Sequence, residues 1–316
     1  MKKLKLAFIS LISGASLMSC APDVSYTAIE DLVFADMIFR ECVLSEAKEN
    51  GWTNAGQVKE LHCVNPTSQK ISSLAGIQNL HSAKTLNLAH NAIVDLSPLV
   101  TLNRLDRLNL DDNQISQIPD GISRFTITHL SLDRNEIHDI GVIGLFQHLE
   151  ILNLASNQID DITPLQSVNT LKVLNLSENM ISDISAISSL LMLSELDVGN
   201  NQITDLSALG GLRKLEHLYL NNNHIDDLTP LAGLSELREI DLSSNELESI
   251  EPLGGLENVW RLHLDYNQIE NIEPLLGFSE LESISLRGIE GLSCETINML
   301  IGEAGKDALT MDDYCQ

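Results

Sequence analysis

Aliphatic and polar residues alternate in a short phrase that returns along most of the chain. In Leu149-Glu-Ile-Leu152-Asn-Leu154 the last two leucines flank a polar residue, the period-two pattern of a strand with one buried face. An asparagine comes three residues after the last leucine, and an aliphatic residue follows two positions later. These asparagines stand at 22-residue intervals: Asn91, Asn113, Asn135, Asn157, Asn179, Asn201, Asn223, Asn245 and Asn267. The spacing predicts a stack of structural repeats.

The repeat predicts a sheet with one short strand from each unit. Parallel strands stack about 4.8 Å apart, so ten or eleven of them form an arc of roughly 50 Å. The asparagine after each strand is expected to turn inward, where its amide satisfies backbone groups that would otherwise be buried without partners. We call the nine asparagines the Asn ladder and predict a structural role for it.

The return path of each unit predicts a short helical turn. An aspartate often stands four residues after the ladder asparagine, and phrases such as Ile162-Thr163-Pro164-Leu165 follow it. Serine or threonine before proline suits the N-cap and first position of a helical turn, so 3₁₀-like turns are expected on the convex side. The phrase Ile118-Pro119-Asp120-Gly121-Ile122 departs from the pattern, and an irregular loop is expected there.

The complete unit resembles the 22-residue class of leucine-rich repeats found in bacterial internalins and in a eukaryotic phosphatase regulator. The resemblance covers residues 58–290, about three-quarters of the chain. It implies an α/β repeat solenoid: a leucine-rich repeat horseshoe or arc with a parallel concave β-sheet, convex 3₁₀-like turns and caps at both ends. It also implies a protein that binds another macromolecule through its concave face.

The segments that flank the repeats are expected to cap the solenoid. Residues 21–57 are interpreted as a helical N-terminal cap, with an amphipathic helix over residues 30–50 that ends at Gly51. Residues 291–316 are interpreted as the C-terminal cap. Four cysteines allow three pairings, and two of them lie at each end of the repeats. Local pairing is therefore predicted, giving the disulfides Cys42–Cys63 and Cys294–Cys315.

The first twenty residues have the composition of an export signal. Lys2, Lys3 and Lys5 precede a short apolar stretch that ends in Leu17-Met18-Ser19-Cys20. This ending resembles a bacterial lipobox, which implies cleavage before Cys20, lipidation of that cysteine and a membrane anchor. By the rule of that family, aspartate directly after the lipidated cysteine retains a lipoprotein in the inner membrane. Ala21 at this position therefore favours the outer membrane. The alternative is an ordinary secretory signal with a chance cysteine.

Charge and motif content narrow the function further. The formal net charge of −26 disfavours nucleic acid, which needs clustered lysine and arginine. The sequence contains no glycine-rich phosphate loop, zinc-type cysteine pairs or nucleophile motif, so no enzymatic activity, cofactor or metal is predicted. Calcium at the aspartate column is the one cofactor alternative.

The outward residues of the later strands are the candidate binding site. Earlier strands repeat an asparagine there (Asn87, Asn109, Asn153 and Asn175), which we interpret as background. Later strands carry charged and aromatic residues, and such enrichment is typical of interface hot spots. The candidate concave patch comprises His217, Tyr219, Glu239, Asp241, Trp260, Arg261, His263 and Tyr266. The alternative is that these are scattered exposed residues near the C-terminal cap.

The sequence therefore predicts a lipid-anchored protein-binding or adhesion module. Three alternatives remain open: an envelope scaffold that faces the periplasm, a regulator of a partner enzyme, and a carbohydrate binder. The ligand is expected to be a protein, with glycan as the other option.

Overall fold

The fold is an open sheet of parallel strands that follow one another in chain order. The computed structural model describes residues 27–65, 69–124, 126–304 and 308–312. Within these ranges each strand pairs with the next in one twelve-stranded sheet. The strands are β1 Glu60–His62, β2 Thr85–Asn87, β3 Arg107–Asn109, β4 His129–Ser131, β5 Ile151–Asn153, β6 Val173–Asn175, β7 Glu195–Asp197, β8 His217–Tyr219, β9 Glu239–Asp241, β10 Arg261–His263, β11 Ser283–Ser285 and β12 Leu309–Thr310. The predicted leucine-rich repeat solenoid is confirmed.

The strand register stacks equivalent residues of successive repeats. In the pairing of β8 with β9, for example, Leu218 lies opposite Ile240, and both side chains are fully buried. The residues on either side of each central aliphatic are partly exposed from β4 to β10. Burial of the aliphatic column, at roughly 1.5–3 kcal/mol per side chain, drives the strands together and leaves the flanking columns for surface contacts.

Short 3₁₀ turns return the chain from one strand to the next, as at Thr163–Ser167 and Thr229–Leu231. The cap differs from the predicted one, because threonine begins the turn and its side chain does not cap it. Instead, Oδ1 of Asp161 accepts a hydrogen bond from the N–H of Thr163 at 2.8 Å, and equivalent bonds form at Asp95, Asp139, Asp183, Asp205 and Asp227. The aspartate column is thus accounted for by turn capping.

The expectation of an irregular loop at residues 118–122 is wrong in part. A 3₁₀ turn forms at Asp120–Arg124, one residue later than the positions of the neighbouring turns would give. Ile118 and Ile122 are both buried. The chain therefore keeps its apolar contacts by shifting the turn instead of losing it.

The N-terminal cap contains helix α1, Met37–Asn50. The predicted start at residue 30 is wrong, because Oδ1 of Asp36 accepts the N–H groups of Ile38 and Phe39 and fixes the N-cap there. Gly51 ends the helix at φ 70°, as predicted. A disulfide joins Cys42 in α1 to Cys63, directly after β1, and so ties the helix to the sheet.

The C-terminal cap contains helix α2, Cys294–Ala304, followed by β12. The sequence did not indicate β12, which continues the sheet beyond β11. Cys294 is disulfide-bonded, while Cys315 lies outside the described residues, so its pairing stays a prediction. The proposed signal segment and Cys20 also lie outside them. No helix in the described ranges has the length and apolarity needed to cross a bilayer.

The Asn ladder runs through the interior beside the sheet, and each of its asparagines is at most 9% exposed. The amide nitrogen of Asn179 donates to the carbonyls of Leu154, Leu176 and Ser177 at 3.0–3.1 Å. Its Oδ1 accepts the N–H of Ile159 at 3.0 Å. Each asparagine therefore satisfies backbone groups of its own repeat and of the preceding one.

Candidate binding surface on the concave face

The concave surface is built from fixed positions of the repeat. We number the phrase Leu-x-x-Leu-x-Leu-x-x-Asn from one to nine, so that its ninth residue is the ladder asparagine. The third and fifth residues flank the buried residue of each strand, and the seventh follows the strand. In the repeat of β8 these are His217, Tyr219 and Asn221.

Four predicted site residues meet around the carboxylate of a fifth, Glu239, on or beside strands β8 to β10. Glu239 accepts a hydrogen bond from Nη1 of Arg261 at 2.8 Å, and Nδ1 of His217 lies 3.5 Å from its other oxygen. The Arg261 guanidinium lies 4.5 Å from the centre of the Trp260 ring, a cation–π contact. Together with Tyr219, these residues form what we call the Glu239 cluster.

Tyr219, the last residue of β8, completes the cluster. Burial, together with the nearby carboxylates Glu239 and Glu195, raises the pKa of the Tyr219 phenol to about 12. The side chain of Glu239 itself is 14% exposed. The cluster is thus a packed and partly desolvated arrangement, the setting in which interface residues contribute most to binding.

The carboxylates beside the cluster make the surface acidic. Burial raises the pKa of Asp197, and the charges of Asp241 and Glu195 add to the effect. Asp241 also has a structural role, because its Oδ1 accepts the N–H of Ser243 at 2.9 Å. His263 stands opposite Asp241 in the strand register.

Tyr266 is the one predicted patch residue that lies elsewhere. It follows β10 as the eighth residue of its repeat, at φ 56°, and its side chain is 61% exposed. Its ring covers Gly288, where a Cβ would overlap the ring. It lines a different surface groove, together with Gln268 and Glu270. The left-handed backbone turns the ring away from the strand's concave residues.

The recurring asparagine at the fifth position has a function in the fold. In Asn87, Asn109, Asn153, Asn175, Asp197 and Asp241, Oδ1 accepts the N–H of the seventh residue of the same repeat at 2.9–3.2 Å. Our interpretation of these asparagines as background is replaced by this cap, which satisfies the backbone where each strand ends.

In two repeats the fifth residue is serine, and an aspartate of the preceding repeat accepts the N–H of the seventh residue instead. Where Ser131 stands, Asp111 of the preceding repeat accepts the N–H of Asp133 at 2.9 Å. Where Ser285 stands, Asp265 accepts the N–H of Arg287 at 2.6 Å. The seventh residue of the preceding repeat thus replaces the missing acceptor.

Three repeats have neither arrangement among the described residues: that of β1 at the edge of the sheet, with His62 as its fifth residue, and those of β8 and β10. The fifth residues of β8 and β10 are Tyr219 and His263, and no acceptor among the described residues reaches the N–H of Asn221 or of Asp265. Before Asn221 the preceding seventh residue is Gly199, where a Cβ would come within 2.5 Å of the Asn221 amide oxygen. Gly199 has no side chain, so this repeat supplies no acceptor to the Asn221 N–H.

A second concave feature lies on the earlier strands. A trough of about 480 Å³ runs from β1 to β7, with Ile151 and Val173 among its lining residues. Within the described ranges no group of three histidine, cysteine, aspartate or glutamate side chains could hold a metal ion.

Leucine-rich repeat family models match much of the repeat region. The two-copy model matches residues 169–211, 191–233 and 213–255, and two further leucine-rich repeat models match residues 104–125, 125–146 and 147–162. The comparison with curated proteins returned no match.

Solved structures share the fold over most of the chain. An internalin of Listeria monocytogenes, InlF, is 25% identical with a TM-score of 0.74, over 93% of this chain and 95% of that one. The functional domain of InlJ from the same organism is 20% identical with a TM-score of 0.67, over 90% and 67%. The plant peptide hormone receptor RGFR1, in complex with RGF2, is 20% identical with a TM-score of 0.60, over 75% and 44%.

These findings define the protein as a leucine-rich repeat solenoid with an internalin-like fold. Proteins of this class are typically scaffolds that bind other proteins and are not enzymes.

Proposed function

We propose that the protein is a lipid-anchored binding module of the cell envelope that holds another protein on its concave face. The observation that carries the binding role is the Glu239 cluster. It gathers Tyr219, Trp260 and Arg261, residue types that dominate protein interfaces, on a continuous and partly exposed sheet face.

The side chains of the cluster favour a protein ligand over a small ion that would be held by charge alone. A partner's apolar group can cover the tyrosine and tryptophan rings, while Glu239 and Arg261 offer charged hydrogen bonds close by. The net charge of −26 favours partners that carry basic residues.

Alanine substitution distinguishes this surface from the trough on the earlier strands. The partner is first isolated by chemical cross-linking on intact cells, and its affinity is then measured with purified protein. Tyr219→Ala and Trp260→Ala are expected to weaken binding by about 1–2 kcal/mol each. Ile151→Thr is the matched substitution in the trough. If only Ile151→Thr weakened binding, the earlier strands would be the binding surface.

The anchor and the side of the membrane are proposals from residues 1–21. Metabolic labelling with an alkyne fatty acid should modify the wild-type protein and not Cys20→Ala. Protease treatment of intact and permeabilised cells then separates a surface adhesin from a scaffold that faces the periplasm. Cleavage only after permeabilisation would contradict the adhesion role.

A further inference from the structure

Two backbone N–H groups on the concave surface stand out from their counterparts in neighbouring repeats. In the repeats of β2 to β7, of β9 and of β11, the N–H of the seventh residue donates to a concave aspartate or asparagine side chain. Because those acceptors lie on the concave side, the equivalent N–H groups of Asn221 and Asp265 face the same surface. Within the described ranges they have no protein acceptor.

The two donors lie on either side of the repeat that contains Glu239. They are two strands apart, about 9.6 Å by the usual strand spacing. Between them stands the repeat of β9, in which Asp241 caps Ser243. A ligand that reaches both donors must therefore cross the strands and pass over Asp241.

Charge decides what kind of acceptor can approach. Arg261 is already paired with Glu239, so the carboxylates of Glu195, Asp197 and Asp241 leave the surface acidic and repel anionic ligands. A neutral carbonyl oxygen is accepted there, and a basic side chain next to it gains from the same carboxylates. A peptide segment of a partner protein supplies both groups.

Spacing decides the conformation of that segment. Carbonyls on one side of a β-strand repeat about every 6.6–6.8 Å, well short of the distance between the two donors. A polyproline II helix rises about 3.1 Å per residue with three residues per turn, so equivalent carbonyls repeat every ~9.3 Å. Aromatic rings such as those of Tyr219 and Trp260 are the usual platform for such segments.

We propose that the concave surface of β8 to β10 binds a basic polyproline II segment of a partner protein, whose carbonyls accept hydrogen bonds from the N–H groups of Asn221 and Asp265. This inference rests on the proposed function and adds the conformation and charge of the ligand. Because Tyr219 and His263 have replaced the usual asparagine or aspartate, the two N–H groups are left available to the ligand.

The test replaces each missing cap. Tyr219→Asn and His263→Asn install the acceptor found at the same position elsewhere and so cover the two N–H groups. The probe is a fluorescent peptide of three Pro-Pro-Arg units, measured by fluorescence anisotropy at 0.15 M salt. His263→Asn should weaken its binding about 3- to 10-fold, a hydrogen bond's usual net value, and Tyr219→Asn, which also removes the ring, should weaken it further. Each variant should keep the circular dichroism spectrum and the cooperative urea unfolding of the wild type, which excludes misfolding as the cause of weaker binding.

Two controls separate the N–H groups from the rings and from charge. Tyr219→Ala also removes the ring but leaves the N–H uncovered, so Tyr219→Asn should bind the probe more weakly than Tyr219→Ala. Ser131→Asn adds an asparagine where Asp111 already serves the N–H, and it should leave binding unchanged. A peptide of three Gly-Ser-Arg units, equal in charge and flexible, should bind at least ~10-fold more weakly.

Equal binding of the Gly-Ser-Arg and Pro-Pro-Arg peptides would overturn the proposal, because it would show attraction by charge alone. Unchanged probe binding by both asparagine variants would also overturn it. If the isolated partner still depends on Tyr219 while the probe does not bind, this inference fails and the proposed function stands.

Discussion

Removing one rung of the Asn ladder is expected to cost a defined amount of stability. In Asn179→Ala the N–H of Ile159, a fully buried residue, loses the acceptor that serves it. An orphaned buried donor costs about 1–3 kcal/mol. The carbonyls of Leu154 and Leu176 lose less, because each also accepts from the next asparagine along the ladder, Asn157 or Asn201. The expected loss of unfolding free energy is therefore about 2 kcal/mol.

The shared carbonyls predict how two substitutions combine. In the double variant Asn157→Ala with Asn179→Ala, the Leu154 carbonyl loses both of its side-chain donors. The combined loss should exceed the sum of the two single losses by about 1 kcal/mol. Asn113 and Asn201 share no carbonyl, so their double variant should be additive within ~0.5 kcal/mol.

Urea denaturation followed by circular dichroism measures these differences, provided that the m-value is the same for every variant. A midpoint unchanged in Asn179→Ala would show that the ladder is not needed to satisfy the backbone. Additivity in the adjacent pair would refute the shared-carbonyl explanation even if each single variant were destabilised.

Four further predictions follow from individual contacts. Cys42→Ser with Cys63→Ser opens a loop closed over 21 residues and should lower the unfolding free energy by about 3 kcal/mol, measured by urea denaturation without reductant so that the disulfide of Cys294 stays intact; an unchanged urea midpoint would contradict this. Ser244→Asn should raise stability by roughly 0.5 kcal/mol, because its φ of 57° lies in the left-handed region that asparagine tolerates; a lower urea midpoint would contradict this. Tyr219→Asn should unfold at a higher urea concentration than Tyr219→Ala, because its side chain supplies the Asn221 N–H with an acceptor worth about 0.5–1.5 kcal/mol. Ultraviolet titration of phenolate should show one tyrosine that ionises near pH 12 and is absent in Tyr219→Phe. The contribution of the neutral Tyr219 phenol to the free energy of unfolding should be present below pH 10 and lost as the pH rises toward 12.

The repeat itself could be predicted from the sequence because every unit uses the same residue types to bury the strand and to satisfy the backbone after it. The Asn ladder and the central leucines appear at fixed spacing, and burial allows no slip of register. The start of α1 was harder to predict, because it depends on one cap at Asp36 that also accepts from Ser72, 36 residues away. The shifted turn at Asp120–Arg124 likewise depends on local packing.

The residue types of the candidate site could be predicted from the sequence, but the uncapped backbone N–H groups could not. Aromatic and charged residues on β8 to β10 stood out against the asparagine column, and the structure brings four of them together around a fifth, Glu239. The uncapped N–H of Asn221 depends on two repeats at once, Tyr219 in one and Gly199 in the other. Tyr219 and Gly199 occupy different positions of successive repeats, so comparing the repeats position by position does not reveal that they act together.

Photo-cross-linking on intact cells tests the central claim, that the concave surface of β8 to β10 holds a partner protein. Benzoylphenylalanine in place of Tyr219 should give a defined adduct. The same substitution at Leu191, a residue that is 56% exposed and lies outside the strands, should give none. Adducts of equal yield at both positions, or an adduct at residue 191 alone, would contradict the account.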